Sequence, residues 1–90
     1  MSSVRKRVVV HGRVQGVFFR DTVRRKASSR GVAGWVSNRP DGTVEAVFEG
    51  DPEAVDSLVR FSQEGPSGAD VDDVEVSDEE PEGLTGFEIR

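Results

Sequence analysis

The chain has 90 residues, with 17 Asp or Glu against 12 Lys or Arg, and a formal net charge of −5. A chain of this length has enough material for one hydrophobic core, so we expect residues 1–90 to form a single domain. The absence of cysteine excludes disulfides, a cysteine-based zinc site and a thiol nucleophile. No long apolar run and no secretory signal is present, which predicts a cytoplasmic protein with no membrane partner.

The charge is unevenly distributed along the chain. Residues 1–40 contain ten bases and one acid, whereas residues 41–90 contain two bases and sixteen acids. The overall acidity disfavours a nucleic-acid partner, while the basic half is suited to attract a small anion. Because acids crowd the stretches after Gly42 that we expect to be exposed, we also expect adaptation to high salt.

The sequence of the N-terminal half predicts a strand, a loop, a helix and a second strand, in that order. Residues 4–13 form a β-branched run typical of a central strand. The spacing of Phe19, Val23 and Ala27 then predicts a helix with one apolar stripe, ending near Gly31 as a C′ residue. A second strand follows over about residues 32–38.

The C-terminal half begins with a hairpin. The turn Pro40-Asp41-Gly42 leads into a third strand, residues 43–49, with Val44, Ala46 and Phe48 on one face. Asp51 as N-cap and Pro52 at N1 predict a second helix that ends at Gly65-Pro66.

Two further strands are predicted near the end of the chain. Val74 and Val76 indicate a fourth strand that begins near Val71, and an acidic loop is expected over residues 77–83. Phe87 and Ile89 share a face of a short last strand.

This order is β-α-β-β-α-β with one added strand. It predicts an α+β, ferredoxin-like sandwich: an antiparallel sheet with two helices on one face and a short extra C-terminal strand. A helix crossover joins the first two strands, so they should run parallel with the third strand between them. The loop after the first strand should therefore lie beside Asn38, although Arg20 and Asn38 are far apart in sequence.

The loop from Gly12 to Arg20 has the composition of an anion-binding loop. Its backbone N–H groups and the following helix N-terminus can cradle an anion. Gly16 allows close approach of the backbone, and Arg20 supplies a planar charged group matched to phosphate oxygens. The absence of a Gly-Lys-Ser/Thr sequence excludes a Walker loop, and the glycine spacing excludes a dinucleotide-binding fingerprint.

Two motifs in this sequence resemble the acylphosphatase family. They are Gly12-x-Val14-Gln15-Gly16-Val17-x-Phe19-Arg20 and Gly34-Trp35-Val36-x-Asn38-x-x-Asp41-Gly42-x-Val44. The likeness covers about residues 4–90. It implies a metal-free, cofactor-free hydrolase acting on acid anhydrides, which splits a small-molecule acyl phosphate into a carboxylate and inorganic phosphate.

The resemblance also implies roles for individual residues. Arg20 would bind the phosphoryl group, and Asn38 would orient the attacking water. The peptide N–H groups that would complete the phosphate cradle are those of Gln15, Gly16, Val17, Phe18, Phe19 and Arg20.

The chemistry of an acyl phosphate agrees with such a site. Its leaving group is a carboxylate whose conjugate acid has a pKa of about 4, so no general acid is needed near neutral pH. Positioning and charge neutralisation by Arg, Asn and backbone donors could suffice. A phosphate monoester, whose alkoxide leaving group needs a proton, would be a poor substrate.

Other interpretations of the same residues stay open at this point. Asn38 could be a turn residue, and His11 could be an ordinary side chain on a strand. Trp35 and Phe18 could serve in packing. The acids of the second half fit a solvated face better than a metal site, since no calcium-loop spacing is present.

Domains with other functions have the same order of helices and strands. An RNA-recognition module does, but the third strand lacks the exposed aromatic residues that such a module needs. A regulatory or accessory binding domain of the same fold remains a rival. A similar module also occurs in longer carbamoyl-transferring maturation proteins, whereas we expect this chain to be freestanding. We expect a monomer, and acetyl phosphate, carbamoyl phosphate and a glycolytic intermediate are all open as the physiological substrate.

Overall fold

In the computed structural model, which describes residues 3–16 and 18–90, the chain forms five strands and two helices in the predicted order. The elements are β1 (Val4–Arg13), α1 (Phe19–Ser29), β2 (Ala33–Asn38), β3 (Val44–Gly50), α2 (Pro52–Glu64), β4 (Asp70–Glu79) and β5 (Phe87–Ile89).

The strands form one sheet in the order β4-β1-β3-β2-β5. Both β1 and β2 pair antiparallel with β3, so they run parallel to each other on either side of it, as predicted. The predicted ferredoxin-like α+β fold is confirmed. Strand β5 adds at the edge of the sheet, parallel to β2, which makes the sheet mixed.

The hydrophobic core lies between one face of the sheet and the two helices. From β3 it takes the predicted side chains Val44, Ala46 and Phe48, each almost fully buried. From α1 it takes Phe19, Val23 and Ala27, the predicted apolar stripe. None of the helices in residues 3–16 and 18–90 is long and apolar enough to cross a membrane.

Helix α1 ends at the predicted glycine. Gly31 has φ +70°, and its N–H donates to the Ser28 carbonyl at 3.3 Å, while the Val32 N–H donates to the Ala27 carbonyl at 2.9 Å. This pair of bonds is a Schellman motif, and glycine fits it because a side chain disfavours the left-handed conformation. Helix α1 thus turns directly into β2.

The acidic loop is shorter than predicted. Residues 77–79 belong to β4 and pair with the start of β1, so the loop begins at residue 80. Glu79 supports this pairing, because its carboxylate accepts hydrogen bonds from Arg5 Nε at 2.8 Å and Arg7 Nε at 2.6 Å across the strands. We call residues 80–86, which connect β4 to β5, the strap.

The strap is fastened to the sheet by Glu49, an acid that is buried rather than solvated. Its side chain is only 5% exposed and lies 3.4 Å from Arg5 Nη1. It accepts hydrogen bonds from three strap N–H groups, those of Glu82, Gly83 and Leu84, at 2.9, 2.8 and 2.9 Å. Burial by itself raises the pKa of Glu49, but these N–H groups and Arg5 outweigh it and hold the pKa below its ordinary value.

We expect Glu49→Gln to destabilise the fold by about 3 kcal/mol near neutral pH, because it removes the charge that the strap N–H groups and Arg5 surround. A carboxylate with a lowered folded-state pKa stabilises the fold above its unfolded pKa, and this stabilisation is lost as the pH falls. Urea unfolding should therefore show the gap between wild type and variant closing below about pH 4.5.

The matched control is Glu64→Gln, the same change at an exposed position at the end of α2. It should change the free energy of unfolding by no more than about 0.5 kcal/mol. Equal effects of the two substitutions, or a gap that persists at low pH, would show that Glu49 does not hold the strap through its charge.

Candidate functional site

A cleft of about 270 Å³ opens at the edge of the sheet where β1 and β2 end. The structure brings Arg20 and Asn38 together in it, as the parallel arrangement of β1 and β2 predicts. The residues that line it are Val14, Gly16, Phe18, Phe19, Arg20, Asp21, Asn38 and Ile89.

The loop between β1 and α1 exposes the N-terminus of the helix to this cleft. Gly16 has φ +73° with open space around it, so glycine is needed there for conformation and not for lack of room. Phe18 is the N-cap of α1, and its phenyl ring has no group with which to cap the helix. The first helical bond is donated by Thr22 to the Phe18 carbonyl at 3.0 Å. The N–H groups of residues 19–21 precede that bond and are therefore available to an anion.

Two charged residues of the first turn of α1 line the cleft. Arg20 is half-buried there and brings a permanent positive charge. Its neighbour Asp21 lies 3.9 Å from Arg24 Nη2 and 3.7 Å from Arg25 Nε, on the outer side of the helix. Those two contacts partly offset the charge of Asp21, and Arg20 is the one basic residue among the described residues that line the cleft.

Asn38 is the last residue of β2 and contributes an unpaired acceptor. Its Oδ1 atom is buried and has no hydrogen-bond partner among residues 3–16 and 18–90. Leaving a buried polar atom without a partner costs about 1–3 kcal/mol, so such atoms are rare and often functional. Because Asn38 lines the cleft, this oxygen is the candidate acceptor for a ligand or a water molecule there.

Gln15 joins the two halves of the site. Its side-chain Nε2 donates to the carbonyls of Arg39 and Thr43, both at 2.8 Å. These carbonyls belong to the turn that follows Asn38, where Asp41 Oδ1 accepts bonds from the N–H and hydroxyl of Thr43. The bonds from Thr43 also lower the pKa of Asp41. The side chain of Gln15 thus ties the loop between β1 and α1 to the turn that follows Asn38.

The structure describes six of the seven predicted site residues. Those that line the cleft are Gly16, Phe18, Phe19, Arg20 and Asn38. Gln15 lies beside the cleft with its side chain bound to the neighbouring turn, and Val17 lies outside the described residues.

Sequence reasoning missed Val14, Asp21 and Ile89. The first two adjoin residues that it did identify. Ile89 comes from the acidic half of the chain, so the cleft is not built from the basic half alone.

The other candidate groups lie elsewhere. His11 pairs with Glu75 on the adjacent strand at 2.6 Å, which agrees with the strand role expected for it. Trp35 lies beneath the guanidinium groups of Arg7 and Arg90, at 5.5 and 4.8 Å from the ring centroid. Within residues 3–16 and 18–90, no three acidic or histidine side chains converge as metal ligands would.

The chain is similar in sequence and in fold to proteins of one family. The acylphosphatase family profile matches residues 6–89. An acylphosphatase of Rubrobacter xylanophilus is 60% identical over 96% of this chain and 79% of its own length. One of Haloarcula marismortui is 53% identical over 100% of this chain and 99% of its own. The crystal structure of an acylphosphatase from Bacillus subtilis superposes with a TM-score of 0.92, at 41% identity over 97% and 98% of the two chains. The chain therefore belongs to the acylphosphatase family, hydrolases that act on acid anhydrides.

Proposed function

We propose that this chain hydrolyses the carboxyl–phosphate bond of acyl phosphates without a metal ion, using Arg20, Asn38 and loop N–H groups. The observation that carries the proposal is the convergence, at one cleft, of a helix N-terminus, Arg20 and Asn38, whose Oδ1 atom has no hydrogen-bond partner among the described residues. Membership of the family supports the reaction, and this constellation supports the division of labour among the residues.

The phosphoryl group would bind at the N-terminus of α1. Its oxygens would accept hydrogen bonds from Arg20 and from the N–H groups of the loop and first helical turn, including those of Gly16, Phe18 and Phe19. These donors lie on a helix end and a loop that Gln15 holds in place, so they need little rearrangement as charge develops.

The nucleophile would be a water molecule held by Asn38. The Oδ1 atom accepts one hydrogen bond from the water, which orients an oxygen lone pair toward phosphorus. The new P–O bond forms as the bond to the acyl oxygen breaks, and the acyl group leaves as a carboxylate with both electrons of that bond. The water gives up its protons to phosphate and solvent, so the products are carboxylate, inorganic phosphate and a proton.

No step of this scheme needs a metal ion or a strong general base. The carboxylate is a weak base and leaves unprotonated near neutral pH. Transition states for phosphoryl transfer are loose, so positioning and charge stabilisation supply most of the rate enhancement. The cleft offers these two factors.

The purified protein should therefore release phosphate from benzoyl phosphate in the presence of EDTA. An alkyl phosphate monoester such as glycerol phosphate should react at least about a hundredfold more slowly, because its alkoxide leaving group must be protonated. Phosphate release should be measured with both substrates from dilute buffer to molar KCl, since the acidic composition predicts adaptation to salt.

Two results would contradict the proposal. Activity that EDTA removes and a divalent cation restores would show that a metal takes part. Failure to hydrolyse benzoyl phosphate and acetyl phosphate at every salt concentration, by protein shown by circular dichroism to be folded, would exclude the acyl phosphate reaction.

A further inference from the structure

One side of the cleft is apolar and exposed. Among residues 3–16 and 18–90, three large hydrophobic side chains are exposed: Phe18 at 80%, Val76 at 42% and Ile89 at 40%. Two of these three, Phe18 and Ile89, line the same cleft, although they are far apart in sequence. Exposed apolar side chains that meet at a concave surface mark binding sites more often than isolated ones do.

The backbone of Phe18 adopts a conformation that is unfavourable for an aromatic residue. It is the one non-glycine residue with positive φ in the described part of the chain, at φ 59°. Asparagine or glycine adopts this conformation more readily than an aromatic residue. The phenyl ring neither caps α1 nor enters the core. A strained, exposed aromatic residue at the mouth of a cleft is explained if its ring contacts a ligand.

Ile89 is held firmly on the other side. The Arg90 N–H donates to the Val36 carbonyl at 2.8 Å, and Gly34 donates to the Gly86 carbonyl at 3.0 Å, so β5 is bonded at both ends to β2. Phe87, on the same strand, stacks on Phe48 of the core with ring centroids 5.9 Å apart. The backbone that carries Ile89 is therefore held in place beside the cleft that its side chain lines.

The polar and apolar parts of the cleft match the two parts of one ligand. Arg20, Asn38 and the helix N–H groups suit a phosphoryl group, whereas Phe18 and Ile89 offer no hydrogen bond and suit a hydrocarbon group. The volume of about 270 Å³ has room for a small molecule only. An acyl phosphate with one aromatic ring or a short alkyl chain has this composition and this size.

We propose that Phe18 and Ile89 bind the acyl group and select acyl phosphates with an apolar acyl group over acetyl and carbamoyl phosphate. This inference rests on the proposed acyl phosphate hydrolysis and deepens it. Benzoyl and acetyl phosphate both release a weakly basic carboxylate, so a difference in kcat/KM between them reports mainly on binding of the acyl group.

The test compares benzoyl with acetyl phosphate in wild type, Phe18→Asn and Ile89→Thr. Asparagine accepts the backbone conformation at residue 18 and keeps its N–H, and threonine keeps the β-branch at residue 89. Wild type should favour benzoyl phosphate by at least about tenfold in kcat/KM, and each variant should reduce that preference by about five- to tenfold. The Ki of inorganic phosphate, which has no acyl group, should stay within about twofold of wild type.

The control is Val76→Thr, which exchanges an equally exposed apolar strand residue on β4, at the opposite edge of the sheet. It should leave the preference unchanged.

A second measurement needs no variant: kcat/KM of wild type should rise from acetyl through butyryl to hexanoyl phosphate.

The outcomes separate this inference from the proposed function. Wild type that hydrolyses no acyl phosphate would overturn the proposed function. Wild type that hydrolyses benzoyl and acetyl phosphate with equal kcat/KM, and shows no rise with chain length, would leave the reaction in place and overturn the role of Phe18 and Ile89. A preference that survives both substitutions would also overturn that role.

Discussion

Asn38→Ala should lower kcat for benzoyl phosphate by about 10²–10³-fold and leave the Ki of inorganic phosphate close to that of wild type. The physical reason is the separation of tasks within the cleft. The buried Oδ1 of Asn38 has no partner among the described residues, and in the proposed mechanism it accepts a hydrogen bond from the attacking water. In the proposed mechanism, Arg20 and the helix N–H groups hold the phosphate, and the substitution does not touch them.

Stability provides a second readout for this variant. Because Oδ1 makes no hydrogen bond to the described residues, removing it breaks no bond of the fold there. The free energy of unfolding should fall by no more than about 1 kcal/mol. The control is Gln63→Ala, which removes an exposed side-chain amide on α2 and should leave kcat unchanged. A Ki that rises in parallel with the loss of kcat would mean that Asn38 binds the phosphoryl group and not the water.

The juxtaposition of Arg20 and Asn38 could be predicted because it depends only on chain topology. A helix between two strands makes those strands parallel, and parallel strands end at the same edge of a sheet. The glycine at the end of α1 and the apolar stripe of β3 could be predicted for a similar reason. Each depends on neighbouring residues only. The first follows from the left-handed backbone at the C′ position of a helix, and the second from the alternation of side chains along a strand.

Ile89 and Glu49 could not be predicted because their environments depend on distant segments. The sequence of a three-residue strand does not indicate which strand it pairs with or in which register. The position of Ile89 beside the cleft could therefore not be predicted. The alternation of side chains along β3 places Glu49 on the face away from the helices, where an acid is expected to be exposed. It is buried because the strap crosses over it.

Gln15 illustrates the same limit. Its position in the motif indicated a backbone role, while its side chain reaches a turn more than twenty residues away in sequence.

Arg20→Gln should weaken binding of inorganic phosphate by about a hundredfold and reduce kcat/KM for benzoyl phosphate by about a thousandfold. A guanidinium–phosphate pair in a partly buried cleft is a charge-assisted, two-pronged interaction, and charge increases on the phosphoryl oxygens as the reaction proceeds. Arg20→Lys should recover part of the loss, since it restores the charge without the planar pair of donors. Titration calorimetry with phosphate measures the binding change independently of turnover.

The same substitution should not weaken the fold, and this distinguishes a functional arginine from a structural one. A cation in the first turn of a helix opposes the helix dipole, so its removal should raise the free energy of unfolding of the ligand-free protein by about 0.3–1 kcal/mol. Added phosphate should raise the Tm of wild type but not of Arg20→Gln, because a ligand stabilises only the state that binds it. Arg30→Gln, at the exposed C-terminal end of the same helix, is the matched control and should retain both phosphate binding and turnover. If Arg20→Gln lowers stability and still responds to phosphate as wild type does, Arg20 supports the fold and the anion is bound elsewhere.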